Sequence, residues 1–174
     1  MSESIKTYLT EDEVNNKIKE LGKQISKDYE GQEVVLAIVL KGASMFGCEL
    51  AKRITVPTYL DFMTVSSYGS GTVSSGEVKI KKDLDTDIEG KHVIIVEDII
   101  DSGNTLFRLR KLLQERNAAS VSIATLLSKP DRREVEVDVD YIGYIIPDEF
   151  VVGYGLDYDQ KYRNLPYIGV VEFN

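Results

Sequence analysis

Val93-Ile94-Ile95-Val96-Glu97-Asp98-Ile99-Ile100-Asp101-Ser102-Gly103-Asn104-Thr105-Leu106 places a buried strand, three acids and an anion-cradling turn in immediate succession. The run Val93 to Val96 is uninterrupted and apolar, as expected of a central strand covered on both faces. Glu97 and Asp98 therefore emerge at the carboxyl end of a strand, the edge at which open α/β sheets bind ligands. Asp101-Ser102-Gly103-Asn104-Thr105 then leads into Leu106, Leu109, Leu112 and Leu113, whose spacing gives one apolar helical face. A helix N-terminus offers unpaired N–H groups and a positive dipole end to an anion; Gly103 lets the backbone come close, and the hydroxyls of Ser102 and Thr105 add donors. Carboxylates for hydroxyls or a metal beside a phosphate pocket suit a phosphorylated sugar, and 5-phosphoribosyl diphosphate carries all of those groups.

Working outward, Thr10-Glu11-Asp12-Glu13 forms a capping-box pattern before Val14, Ile18, Leu21 and Ile25, with Gly31 as the stop. Val34 to Leu40 is a second continuous apolar run, followed by Lys41-Gly42-Ala43-Ser44 and a helical stretch to about Arg53. Strands are expected at Thr58 to Ser66, Val78 to Lys82, Val121 to Leu127, Val139 to Ile145 and Val151 to Tyr154. Between two of them, Tyr68 to Gly76 is rich in Gly, Ser and Thr, and mobility in the empty protein is expected there. Strands alternating with helices predict an α/β fold with a parallel-rich central sheet flanked by helices on both faces.

With 174 residues and 43% hydrophobic content, one domain spanning 1–174 is expected. A net charge of −8 and a pI near 4.8 oppose a nonspecific role on nucleic acid. The single cysteine, Cys48, excludes an internal disulfide, and no N-terminal apolar stretch reads as a signal peptide or membrane span, so a cytoplasmic location is expected. Cys48 reads as a small core residue of an apolar helix, and His92, the only histidine, as a packing or capping group at a strand start.

The segment around Glu97 to Thr105 resembles the phosphoribosyl-diphosphate motif of the type I phosphoribosyltransferases. Leu40-Lys41-Gly42-Ala43, Ser67-Tyr68, Lys129 and Pro147-Asp148-Glu149-Phe150-Val151-Val152-Gly153-Tyr154-Gly155-Leu156-Asp157-Tyr158 resemble, in the same order, the hypoxanthine-guanine phosphoribosyltransferases. The resemblance runs from about Val34 to the C-terminus. It implies the type I fold with a small hood formed by N- and C-terminal segments. The implied reaction converts hypoxanthine and guanine plus 5-phosphoribosyl diphosphate to IMP and GMP plus pyrophosphate, with Mg²⁺. It also implies a homodimer or homotetramer without a nucleic-acid or membrane partner.

The resemblance carries roles residue by residue. Glu97 and Asp98 would hold the ribose hydroxyls and help position Mg²⁺, where a solvated acidic turn is the plainer reading. Asp101 would accept the hydrogen bond from purine N7, although capping the next helix would also suit it. Ser102, Gly103, Asn104 and Thr105 would hold the 5′-phosphate. Lys41, Gly42 and Arg163 would meet pyrophosphate, with a non-proline cis peptide between Leu40 and Lys41. Lys129 would donate to the purine 6-oxo group, Phe150 would stack on the base, and Val151 would offer it backbone groups. Without the resemblance, Lys129 reads as a solvated loop residue and Phe150 as a core aromatic. Asp157 would meet a second Mg²⁺ beside the purine, and Ser67 and Tyr68 would open a loop that closes over the reacting groups. Asn104 and Ala43 depart from residues common in the family, at positions that chiefly use backbone. Two rivals remain: an RNA-binding transcription attenuator on the same fold, and a phospho-accepting receiver domain, which leaves the Ser102–Thr105 loop unexplained.

Overall fold

The computed structural model describes residues 2–67 and 77–174. Its largest sheet has six strands: β2 (Val34–Val39), β3 (Thr58–Ser67), β4 (Val78–Lys82), β5 (His92–Ile100), β6 (Ser120–Ser128) and β7 (Tyr141–Ile145), in the order β4-β3-β2-β5-β6-β7. All neighbours run parallel except β3 and β4 at one edge. Every residue of β2 is buried, as its unbroken apolar run requires.

Alternate residues of the central strands feed two cores. Leu36, Ile38, Ile94 and Val96 pack with Val14, Ile18 and Ile25 of α1 (Glu11–Asp28) and Phe46 and Leu50 of α2 (Ser44–Lys52). Val35, Ala37, Val93 and Ile95 pack with Leu106, Leu109 and Leu113 of α3 (Asn104–Glu115). Helices thus cover both faces. Phe46 is fully buried, so trimming it to alanine would cost about 3–5 kcal/mol. α1 starts as its sequence dictates: Glu13 N–H donates to Thr10 Oγ1 at 3.2 Å and Thr10 N–H to Glu13 Oε2 at 2.8 Å.

Chain direction out of the sheet centre sets the site. From β2 the chain crosses through α2 to β3 on one side, and from adjacent β5 it crosses through α3 to β6 on the other. The loops after β2 and β5 therefore diverge and leave a crevice at the strands' carboxyl ends.

A second, antiparallel sheet joins the two ends of the chain in the order β1-β9-β8, with β1 (Glu3–Leu9), β8 (Val151–Val152) and β9 (Ile168–Phe173). It answers to the expected hood. Ile168, Val151, Tyr154 and Leu156 pack into the same core as α1 and α2, and Tyr154 Oη donates to Asn15 Oδ1 at 3.0 Å. Burial pushes the Tyr154 phenol up to about 12.

Several local expectations are corrected. β1 and β9 carry too weak an alternation to read from sequence, and each is defined by a partner at the other end of the chain. The strand expected over Val151 to Tyr154 stops at Val152, because Gly153 and Tyr154 turn to φ values of 96° and 51°. The strand expected from Val139 starts at Tyr141; Asp140 instead uses its side chain on the neighbouring strand, accepting from Ile123 N–H inside β6 at 2.9 Å. Cys48 is exposed on the outer side of α2 rather than in the core. His92 packs, as expected: its Nδ1 lies 2.7 Å from Ser120 Oγ and its ring meets Tyr29 edge-on. The expectation for Tyr68 to Gly76 lies outside the described residues.

Candidate active site

β5 runs on to Ile100, so Glu97 and Asp98 lie within the strand rather than directly after the apolar run Val93 to Val96, and both carboxyls fold back on their own backbone. Asp98 N–H donates to Glu97 Oε1 at 3.2 Å and Ile99 N–H to Asp98 Oδ1 at 2.7 Å. Both residues show a half-exposed edge to the crevice, yet their carboxyls are densely surrounded by protein. Burial raises Glu97 well above the ordinary carboxylate range, and the neighbouring Asp98 charge raises it further. Burial also raises Asp98, against the pull of its backbone donor and Arg163. Two acids held this way favour a proton or a cation between them; a solvated acidic turn would not behave so.

After β5 the chain turns at Ser102 and Gly103 into α3. Gly103 is the N-cap at φ 83°, a left-handed conformation that favours glycine, and offers the helix no side-chain cap of its own. Asp101 is thus not the cap. Its Oδ1 is buried without a hydrogen-bond partner, an arrangement with a desolvation cost unless a ligand completes it. Ser102 Oγ accepts from Asn104 N–H at 3.3 Å. Glu97, Asp98, Asp101, Ser102, Gly103 and Thr105 line one side of a crevice of about 510 Å³, closed opposite by Val39 and by Val65 and Ser66 of β3.

The loop after β2 presses against the acids. The Leu40–Lys41 peptide is cis, and a β-carbon on Gly42 would collide with Asp98 Oδ2. Gly155 approaches from the other side, where a β-carbon would collide with the Gly42 carbonyl. Around this contact Arg163 donates to Gly155 O at 2.7 Å and to Gln160 Oε1 at 3.2 Å, and lies 3.3 Å from Asp157 Oδ1. Lys41, exposed, reaches the same Gln160 Oε1 at 3.4 Å. Asp157 accepts from Gln160 N–H at 2.9 Å. Lys41, Gly42, Asp157 and Arg163 are therefore brought together, with Gln160 as the shared acceptor.

Lys129 follows β6 beside the end of β5, its N–H donating to Ile100 O at 3.0 Å. It is only 7% exposed and its Nζ lies 3.6 Å from Asp148 Oδ1, so it is no solvated loop residue. Two positions on from Asp148, Phe150 is 50% exposed, with its ring edge-on to Tyr158 at 5.7 Å, and is not a core aromatic. Val151 points its side chain into the core, paired with Val170 in the small sheet. Ser67 ends β3, paired with Val78; Tyr68 lies outside the described residues. Among the described residues no three acids or other metal-binding side chains converge on one point. Sequence reasoning missed Gln160 and Arg133, whose guanidinium donates to the Asp101 carbonyl at 3.0 Å. Neither residue sits in a patterned stretch, and only the tertiary contact reveals it.

A parallel sheet with a switch point between β2 and β5, carboxylates at the β5 end and an anion loop opening α3 define a phosphoribosyl-transferring domain. The phosphoribosyl transferase domain family matches residues 4–159, and the chain belongs to that family. The chain is 56% identical over 167 residues to a hypoxanthine-guanine phosphoribosyltransferase of Streptococcus thermophilus, covering 96% of this chain and 93% of that protein. It is 53% identical over 173 residues to a hypoxanthine phosphoribosyltransferase of Salmonella typhimurium, covering 98% and 97%. A crystal structure of a hypoxanthine phosphoribosyltransferase from Staphylococcus aureus superposes with a TM-score of 0.92 at 52% identity, covering 96% of this chain and 91% of that one.

Proposed function

We propose that this protein is a purine-salvage pentosyltransferase that converts hypoxanthine and guanine, with 5-phosphoribosyl diphosphate, to IMP and GMP and releases pyrophosphate. The observation that carries the reading is the crevice between β5 and α3, where an anion loop and Asp101 with its unpartnered buried oxygen stand beside a raised acid pair. The names and coverage of the relatives support it.

In this reading the 5′-phosphate takes the first amides of α3 and the hydroxyls of Ser102 and Thr105, while Glu97 and Asp98 hold the ribose hydroxyls. Asp101 accepts from N7 as the base attacks the anomeric carbon, relieving positive charge on the ring. Lys129 donates to the 6-oxo group, Phe150 stacks, and the Val151 backbone meets the base edge. Lys41, the Gly42 amide and Arg163 face the departing pyrophosphate, on which negative charge grows.

The acid pair fits Mg²⁺: two adjacent carboxyls whose charge is disfavoured by burial are relieved by a hard cation. Glu97 and Asp98 would hold one ion and Asp157 would face a second, with substrate oxygens completing each shell. Bound Mg²⁺ supplies charge neutralisation on the leaving pyrophosphate. A single domain, a homodimer or homotetramer, and a cytoplasmic location complete the reading; no helix among the described residues is long and apolar enough to cross a membrane.

The RNA-binding attenuator is not supported, since the close relatives carry the names of purine phosphoribosyltransferases and the net charge is −8. A purine panel with 5-phosphoribosyl diphosphate and Mg²⁺ tests the proposal directly. Nucleotide should form from hypoxanthine and guanine and not from adenine, and an inert panel or an adenine preference would overturn it.

A further inference from the structure

We propose that Arg133 is a positioning residue for the transfer: its guanidinium fixes the main chain at Asp101 and so sets both the stance of the Asp101 carboxylate and the presentation of the Ser102–Thr105 loop. This rests on the reading of the crevice given above.

Arg133 follows the short turn Pro130–Arg132 and reaches back 32 positions to the loop. Its Nε donates to the Asp101 carbonyl at 3.0 Å and one terminal nitrogen to Ser128 Oγ at 2.9 Å, and Ser128 is itself buried at the end of β6. The planar fork thus spans two strand ends, a geometry that a lysine ammonium, a single point of charge, does not reproduce. The stem also packs on the turn: a β-carbon on Gly103 would lie 3.0 Å from Arg133 Cδ. The next residues extend the clamp. Glu134 and Val135 N–H groups both converge on the Ser102 carbonyl, at 2.9 and 3.3 Å, and Glu134 Oε2 accepts from Asn104 Nδ2 at 2.7 Å.

A turn capped by one left-handed glycine has many alternative conformations, and within residues 101–105 only the Ser102 to Asn104 contact favours one of them. The selection comes from Arg133 to Val135. Because Lys129 opens the same short segment and bonds the Ile100 carbonyl, the clamp also ties the base-recognising lysine to the sugar-phosphate loop. Arg133 acts through Asp101 and Gly103, the turn residues that its side chain meets.

The test is steady-state kinetics of Arg133→Ala with hypoxanthine and 5-phosphoribosyl diphosphate, together with thermal melting and added guanidinium ion at millimolar concentration. Loss of two hydrogen bonds from a charged donor predicts a KM for the sugar diphosphate raised about tenfold and kcat lowered about tenfold, with the KM for hypoxanthine within about twofold. Guanidinium should restore part of kcat/KM, and Ser128→Ala should give a smaller loss in the same direction. If Arg133→Ala fails to fold, Arg133→Lys provides the same split at smaller amplitude. Unchanged kinetics, or a loss shared equally by both substrates that follows melting temperature and ignores guanidinium, would overturn the clamp while leaving the crevice reading intact. A wild-type protein inert across the purine panel would sink both.

Discussion

The two halves of the site are built in opposite ways. On the proposed sugar-phosphate side, Glu97, Asp98, Asp101 and Ser102 to Thr105 come from one strand, one turn and the start of one helix. On the proposed base and pyrophosphate side, Lys41, Lys129, Phe150, Asp157 and Arg163 come from four separate stretches, joined by Asp148, Gln160 and the close approach of Gly155 to Gly42. A contiguous half depends on local conformation and on the clamp that holds it. A dispersed half depends on the register of several elements at once, so damage there should spread more and cut less deeply.

The sharpest way to break this contrast is Asp101→Asn. The substitution keeps size and backbone, and removes an acceptor charge from a buried oxygen that lacks any other partner. Steady-state assays should show kcat lowered about 10²- to 10³-fold, the scale of a lost acid–base contribution, while the sugar-diphosphate KM changes little. Equal turnover would remove Asp101 from the chemistry.

Lys129→Met should come next. It keeps the buried stem and discards the ammonium paired with Asp148. The KM for hypoxanthine should rise about tenfold to a hundredfold, as expected for a base oxygen left without its donor, while the sugar-diphosphate KM stays within about twofold. A variant that still prefers hypoxanthine over adenine by the wild-type margin would exclude Lys129 from recognition.

Gly42→Ala probes the seam between the halves. The new methyl would collide with the Asp98 carboxyl, so either the loop or the acid must shift. Product-inhibition assays should show pyrophosphate affinity and Mg²⁺ dependence weakened together, about tenfold, with about 1–3 kcal/mol lost in urea unfolding from overpacking. A normal pyrophosphate response would show that the two halves tolerate independent movement.

The smallest effect is a slope. Because Glu97 is raised above 4.5 in the folded protein and Asp98 is also raised, the folded state retains protons that the unfolded chain releases. The stability they contribute is present below the ordinary carboxylate range and is lost as pH rises through their folded values. Urea melts across that interval should show stability declining with pH, and Glu97→Gln or added Mg²⁺ with sugar diphosphate should flatten the decline. An identical slope in the variant would mean the pair ionises freely.

Legibility from sequence follows the same division. The strand, the acids, the phosphate turn and the helix face at Leu106, Leu109 and Leu113 are all readable, because each signal lies within a few residues of the next. The capping box at Thr10 is readable for the same reason. Lys129 and Phe150 are not decidable from pattern: their environments depend on Asp148 and Tyr158, which pattern alone does not place beside them. Gln160 and Arg133 leave no trace, since a bond across 119 or 32 positions has no periodicity. Cys48 is misread because a short helix with apolar residues on several sides does not say which side faces the sheet.

The small sheet places the chain's two ends mechanically in series with base recognition. β9 is held between β1 and β8, with Ser4 opposite Glu172 and Val152 opposite Gly169. Val151 and Val152 reach no other strand of that sheet. A fusion or trimming that peels off Glu3 to Leu9 would therefore slacken, through one intermediate ribbon, the wall on which the purine is proposed to rest, and would also release Glu3 from Lys161 and Tyr162.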